Sequence, residues 1–216
     1  MRLMMIMLLL LPGAVFATQD AWPALYDVVD VANDDVLNIR AEPSARSEII
    51  GSFPPDRTGI EVLRPSDDYR WGLVNAGERT GWVSLTFLVA QPGQWYGAYP
   101  RISQCSGTEP FWSLTMDDPS KLGNLLGPGG EGTGVSLSDP SSPTITATIT
   151  REAVAANRRD RYAFQAEGPE TDMSVVFFLQ SCNDGMSDRE YGIMTDILLR
   201  RDGEFSHLSG CCSLSR

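Results

Sequence analysis

The 216-residue chain contains a single lysine, Lys121, a single histidine, His207, and no cysteine before Cys105. It has 28 acidic residues against 17 basic ones, so its formal net charge is −11. A shortage of positive charge on this scale disfavours nucleic acid and anionic lipid as partners. The single histidine leaves few ways to activate a nucleophile or to complete a zinc site.

The most apolar segment stands at the N-terminus, where Leu3 to Leu11 follows Met1-Arg2. Small residues end it, with Val15 at position −3 and Ala17 at position −1 of a signal-peptide cleavage point. The run is too short for a permanent transmembrane helix. We therefore expect residues 1–17 to be removed after Ala17, which predicts a periplasmic or secreted protein without a stable membrane span. The absence of an early cysteine excludes lipid attachment at that point.

Helical periodicity is absent between residues 26 and 90. Short apolar and β-branched runs alternate there with Asn, Asp, Gly and Pro turn signals, a pattern typical of a small barrel. The predicted strands are 36–40, 49–53, 59–63, 69–74 and 80–84.

Several motifs in this region resemble the bacterial SH3-like domain. The resemblance covers about residues 26–90, and the domain is predicted at 25–91. The residues that carry it are Leu37-Asn38-Ile39-Arg40-Ala41-Glu42-Pro43-Ser44, Gly51, Trp71, Val74, Gly77, Gly81-Trp82-Val83 and Leu88. The resemblance implies a module that binds cell wall, often peptidoglycan peptides, or protein.

Within this module, Asp68, Tyr69 and Trp71 are candidates for a ligand groove. Trp71 and Trp82 are also typical core aromatics, and we expect Trp82 in particular to enter the core. Gly81 is expected to allow a tight bend just before it.

A linker is predicted at residues 92–101, followed by a C-terminal β-domain at 102–216. Strict alternation makes 144–150 the clearest strand, and Asp202-Gly203 is a hairpin signal between two further strands. Helix-forming residues at 152–156 predict one helical turn. The predicted fold class is all-β: an N-terminal SH3-like small barrel plus a C-terminal disulfide-linked β-barrel or sandwich.

All four cysteines, Cys105, Cys182, Cys211 and Cys212, fall in the C-terminal domain. An exported protein folds in an oxidising compartment, so we expect all four to be paired. Three pairings are open. We favour Cys105 and Cys182 each bonding to one of the adjacent pair, since neighbours on a strand point to opposite faces.

Three cysteine-bearing segments, 105–112, 182–191 and 208–212, together resemble an uncharacterised family of exported bacterial proteins and lipoprotein domains. No activity is established for that family. In general shape the domain also resembles the small β-barrels of lysozyme inhibitors and related envelope proteins, an architectural likeness only.

The loop after Cys182 is the candidate centre of this domain because it concentrates charge between two apolar strands. The candidate ligand-binding residues there are Asp184, Ser187, Asp188, Arg189 and Tyr191, together with Glu109 and Trp112. We expect Arg189 to form an ion pair with Asp184, Asp188 or Glu109, which would fix the loop. Of the neighbours Phe111 and Trp112, alternation predicts that one is core and the other exposed.

Catalytic readings of these residues are weaker. Gln104-Cys105-Ser106-Gly107 echoes the nucleophile segment of wall-cleaving cysteine peptidases, but Pro110 opposes the helix start that would activate a thiolate. Glu109 with Asp184 or Asp188 would suit glycoside cleavage, yet the Asp residues equally suit turn formation. We predict no enzymatic activity, no cofactor and no metal.

Three functional hypotheses follow. The favoured one is a non-enzymatic envelope protein whose SH3-like module binds peptidoglycan or an envelope protein. The alternative is a periplasmic inhibitor or sensor that acts through the 182–191 loop. A cell-wall cysteine peptidase is the least favoured.

Overall fold

The computed structural model describes residues 21–123, 127 and 129–214. The predicted signal peptide lies outside the described residues. The regular secondary structure of the described chain is almost wholly β, as expected, and its C-terminal part is an eight-stranded closed barrel. No helix among the described residues is long and apolar enough to cross a membrane.

The N-terminal part consists of eight short strands in two small antiparallel sheets. They are β1 (Ala24–Val28), β2 (Leu37–Arg40), β3 (Ile49–Phe53), β4 (Ile60–Val62), β5 (Arg64–Pro65), β6 (Trp71–Ala76), β7 (Arg79–Ser84) and β8 (Leu88–Ala90). One sheet has the order β4-β1-β8 and the other β3-β2-β7-β6-β5. Strands β6 and β7 form a hairpin whose tight turn contains Gly77, held at a positive φ of 69°.

The core between these sheets includes Ile39, Val62, Val74 and Val83. Gly81 also faces it, because a Cβ there would lie 2.6 Å from the Ile39 side chain. Its neighbour on β7 therefore points the other way.

The expectation that Trp82 enters this core is wrong. Trp82 is half-buried on the opposite face, where the guanidinium carbon of Arg64 lies 5.2 Å from its ring centroid. The role of Gly81 is also different from the one expected, because it permits close packing on Ile39 rather than a bend.

The C-terminal barrel is formed by eight antiparallel strands. They are β9 (Gln104–Thr108), β10 (Phe111–Met116), β11 (Gly134–Asp139), β12 (Ser142–Val154), β13 (Arg161–Gly168), β14 (Thr171–Cys182), β15 (Tyr191–Arg201) and β16 (Glu204–Ser213). Neighbours follow the chain order from β10 to β16, and β9 closes the barrel between β16 and β10. Asp202-Gly203 forms the predicted β15–β16 turn.

The predicted helical turn at 152–156 is wrong. Strand β12 continues to Val154, which pairs with Tyr162 of β13. Pairing with a neighbouring strand outweighs the weak helix propensity of these residues. The Glu152 side chain, whose Oε2 accepts hydrogen bonds from the backbone of Gly123 and Gly129, anchors the preceding loop.

The barrel core is filled by alternate residues of every strand, including the fully buried Phe164, Phe177 and Ile197. Residues from outside the barrel strands join it, among them Leu25 of β1 and Tyr99 of the predicted linker. The Tyr99 ring lies 5.0 Å from that of Tyr162, centroid to centroid. The predicted linker thus packs on the barrel through Tyr99.

Candidate functional site

Two disulfides join the segments that the sequence singled out. Cys105 bonds Cys212 inside the barrel, where the two residues are direct partners on β9 and β16. Cys182 bonds Cys211 and so fixes the start of the 182–191 loop to the opposite face of β16. This confirms that all four cysteines are paired and that the adjacent cysteines take different partners.

The loop is organised around the carboxylate of Asp184. It accepts hydrogen bonds from the backbone N–H groups of Met186 and Ser187, from the Ser187 hydroxyl, and from the Tyr191 hydroxyl at 3.3 Å. Burial acts to raise the pKa of Asp184, but these hydrogen bonds together outweigh it and hold the pKa below its usual range. Asp184 is thus an ionised structural anchor at neutral pH and a poor general acid.

The second half of the loop lies against the N-terminal part of the protein. The amide of Asn75, on β6, donates to the Glu190 carbonyl at 2.9 Å and accepts from the Glu190 N–H at 3.2 Å. Arg79 of β7 forms a parallel bridge with Asp188. Arg64 lies 3.8 Å from the Glu190 carboxylate. The β6–β7 hairpin is therefore the docking surface of the loop.

Two further contacts reinforce this joint. The buried carboxylate of Glu61, on β4, accepts hydrogen bonds from the Ser213 hydroxyl at 2.7 Å and the Leu214 N–H at 3.1 Å. Gly192, at the start of β15, lies under the ring of Pro23, because a Cβ there would come within 2.8 Å of it. The two parts of the chain are thus connected through several strands as well as the linker.

The prediction that Arg189 forms an ion pair with a nearby carboxylate is wrong. Among the described residues, no carboxylate lies within ion-pair distance of Arg189. One terminal guanidinium nitrogen instead donates to the Gly77 carbonyl at 3.4 Å, and the guanidinium lies 5.8 Å from the Tyr191 ring centroid. Backbone and side-chain hydrogen bonds already satisfy Asp184, so the loop is fixed without that cation.

The first half of the loop borders a groove on the outer barrel surface of about 710 Å³. Its lining includes Asn183, Asp184 and Met186 of the loop together with Glu109 and Phe111. Glu109 and Asp184 are therefore brought to one groove, whereas Asp188 is not part of its lining. Met186 is 67 % exposed beside it.

One of the neighbours Phe111 and Trp112 is buried and the other is exposed, as strand alternation predicts. Phe111 is 55 % exposed, while Trp112 is buried at 5 %. Trp112 fits inside because its strand partner is Gly107, and Gly210 on β16 also faces the indole. The candidate ligand residue Trp112 is thus a core side chain, and Phe111 is the exposed aromatic of the pair.

The candidates in the SH3-like region lie in the turn before β6 and at the first residue of that strand. Asp68 accepts hydrogen bonds from the Ser66 hydroxyl at 2.7 Å and from the Arg70 backbone and guanidinium. The Ser66 bond is the largest of the influences that lower the pKa of Asp68 to about 2. The turn holds Tyr69 at a positive φ of 55° with 66 % of its surface exposed. Trp71 follows, half-buried, at the opposite end of β6 from Asn75.

One cavity was missed by sequence reasoning. It is the mouth of the barrel, about 890 Å³, bounded by the β9–β10, β11–β12 and β15–β16 turns. Inward-facing apolar residues form its floor, and the exposed Phe111 and Phe205 stand at its edge. Finding it requires the strand order, which no local pattern encodes.

The known family that matches is the bacterial SH3 domain, over residues 35–89. This confirms the resemblance for the N-terminal part of the chain. No curated protein and no solved structure gives a significant match.

Proposed function

We propose that the protein is an exported, non-enzymatic envelope protein whose SH3-like region binds peptide segments of the cell wall. The C-terminal barrel, which we assign to the uncharacterised exported family resembled by its three cysteine segments, supplies a second surface. The bacterial SH3 match supports a module that binds cell wall or protein.

The observation that carries the proposal is that Tyr69 is exposed and held at a positive φ. A non-glycine residue at positive φ is uncommon, and strained positions of this kind cluster at ligand contacts. The Asp68–Ser66 hydrogen bond holds the turn, so the aromatic ring is presented to solvent without a large entropic cost on binding. Tyr and Trp are enriched among residues that dominate binding energies.

Export is supported by the two disulfides, which form and persist in oxidising compartments. The non-enzymatic assignment is supported by the state of the cysteines, since bridging all four leaves no thiolate nucleophile. His207 lies on the outer face of β16, with its Nε2 3.1 Å from Asp196, and not beside Cys105.

The alternative, an inhibitor or sensor acting through the 182–191 loop, is favoured by the exposure of Met186. The docked residues Asp188 and Glu190 weaken it, because half of the loop is already covered by the β6–β7 hairpin. A partner could engage only the 183–186 side.

The experiment is a pull-down of the full chain with purified peptidoglycan sacculi. Tyr69→Ala and Trp71→Ala should each weaken binding about tenfold, as truncation of a dominant contact does. Phe205→Ala is the matched control, because Phe205 is an equally exposed aromatic on the barrel. Failure of the parent chain to sediment with sacculi, or equal loss in the control, would refute the proposal.

A further inference from the structure

The barrel mouth has the form of a ligand site. Its floor is made by inward-facing apolar side chains from five strands: Trp112, Leu137, Ile145, Leu199 and Leu208. Eight-stranded barrels are wide enough to hold one small ligand in this position. The volume of about 890 Å³ is within the range of pockets that enclose small molecules.

The edge of the mouth exposes aromatic surface. Phe205 is 70 % exposed and Phe111 is 55 % exposed, and both line the same opening. The turns that surround it are short hairpins, so no long loop of the described chain covers it. Exposed apolar surface that continues into an apolar cavity marks a binding surface more often than a solvated face.

The charge of the side chains around the opening determines which apolar ligands it favours. Three carboxylates line it, those of Asp139, Asp202 and Glu204, against one cation, Arg201. Arg201 is itself paired with Asp202 at 3.4 Å. The Asp139 carboxylate accepts hydrogen bonds from the hydroxyl and the backbone N–H of Ser141. Both bonds lower the pKa of Asp139, and the hydroxyl bond lowers it more. The opening is therefore net negative on a chain that is acidic throughout.

We propose that the barrel mouth binds a small amphiphile with a cationic end group, its apolar body on the Trp112 floor and its cation among the rim carboxylates. The rim aromatics Phe111 and Phe205 add to this preference, because ring faces attract cations. A fatty-acid carboxylate would meet repulsion at the same rim. This site is independent of the SH3-like region.

The test uses the full chain and a fluorescent reporter, N-phenyl-1-naphthylamine, whose emission rises in apolar surroundings. Decylamine, decanol and decanoate then compete with it below their micelle concentrations, since they share a chain and differ in charge. Decylamine should displace the reporter at an at least threefold lower concentration than decanoate, as expected for a unit charge beside a net negative rim. High salt should narrow that difference.

Two matched pairs of variants locate the binding. Ser206→Trp puts a ring into the mouth, while His207→Trp puts the same ring on the outer face of β16. Phe205→Ala removes a rim aromatic, while Leu198→Ala removes an exposed apolar side chain that does not line the mouth. We expect Ser206→Trp to abolish reporter binding, Phe205→Ala to weaken it severalfold, and the two controls to bind as the parent does. Thermal melts establish that each variant is folded.

Four results would overturn the proposal. The first is no rise in reporter emission with the parent chain. The second is equal binding by Phe205→Ala and Leu198→Ala, a pair that remains informative if Ser206→Trp fails to fold. The third is displacement by decanoate as readily as by decylamine. A parent chain that sediments as a dimer, and becomes monomeric on Phe205→Ala, would identify the mouth as a self-association surface instead.

Discussion

The side-chain amide of Asn75 forms a reciprocal pair of hydrogen bonds with the backbone of Glu190, 115 residues further along the chain. Asn75 lies at the end of β6 in the SH3-like region, and Glu190 ends the loop that follows Cys182. The loop that stands out in the sequence as a candidate binding site is thus largely a joint between two parts of the molecule. Its charge density reflects this structural role.

Replacing Asn75 with Ala should lower the free energy of unfolding by about 1–3 kcal/mol, since two partly buried backbone groups lose their partners. Denaturant unfolding of the full chain measures it. Asn157→Ala is the control, because Asn157 is exposed in the turn between β12 and β13 and does not belong to the joint. Equal stability of the two variants would mean that the joint contributes nothing.

The two disulfides should contribute unequally. Cys105 and Cys212 are 107 residues apart, while Cys182 and Cys211 are 29 apart. Loop-closure entropy predicts about 5 kcal/mol for the first and about 4 kcal/mol for the second, and the first bond is also in the core. Paired Cys→Ala variants, compared by denaturant unfolding, test the order.

Intact mass after alkylation without reduction should show no free thiol in the parent, and a modified cysteine there would contradict the pairing.

Asp184 should make the protein acid-sensitive. Its pKa is lower in the folded protein than the ordinary 3.8, so its stabilising effect is complete above that value and disappears as pH falls through the folded pKa. Asp184→Asn should therefore have a lower melting temperature than the parent at pH 7. The difference in melting temperature should disappear at pH values under about 4. A gap that stays constant down to pH 2 would show that the charge of Asp184 is not involved.

Gly107 should not tolerate a side chain. An added Cβ would lie 2.2 Å from Trp112 Nε1 and 2.8 Å from the Ser209 carbonyl oxygen. Gly107→Ala should cost about 1–3 kcal/mol by overpacking, and less in a Trp112→Phe background. Gly127→Ala is the control, since none of the described residues lies within 4 Å of its added Cβ. An equal, small effect in both positions would rule out close packing on the indole.

Local patterns predict the strands well where one face is buried. The alternation at 144–150 corresponds to the middle of β12, and the apolar run before Cys182 to β14. The division of Phe111 from Trp112 follows from the same alternation. Trp82 shows the limit of this reasoning, because a large aromatic near a family motif was expected inside, yet its strand neighbours Gly81 and Val83 occupy the core.

The rest depends on contacts that no local pattern encodes. The docking of Asp188 and Glu190 on the β6–β7 hairpin joins residues more than 100 positions apart. The same holds for the barrel mouth, whose floor takes one residue each from β10, β11, β12 and two neighbouring strands. Arg189 was expected to pair with a carboxylate because sequence proximity suggested it, but Asp184 is satisfied by its own loop.

The most direct test of the central claim, that the turn around Tyr69 binds the cell wall, is an NMR titration of the isotopically labelled full chain with soluble peptidoglycan fragments. The account predicts that amide shifts are concentrated at residues 66–71, that the hairpin turn covered by the 182–191 loop is unaffected, and that Tyr69→Ala abolishes the response. Shifts confined to the 183–186 side of the loop, or to the barrel, would contradict it.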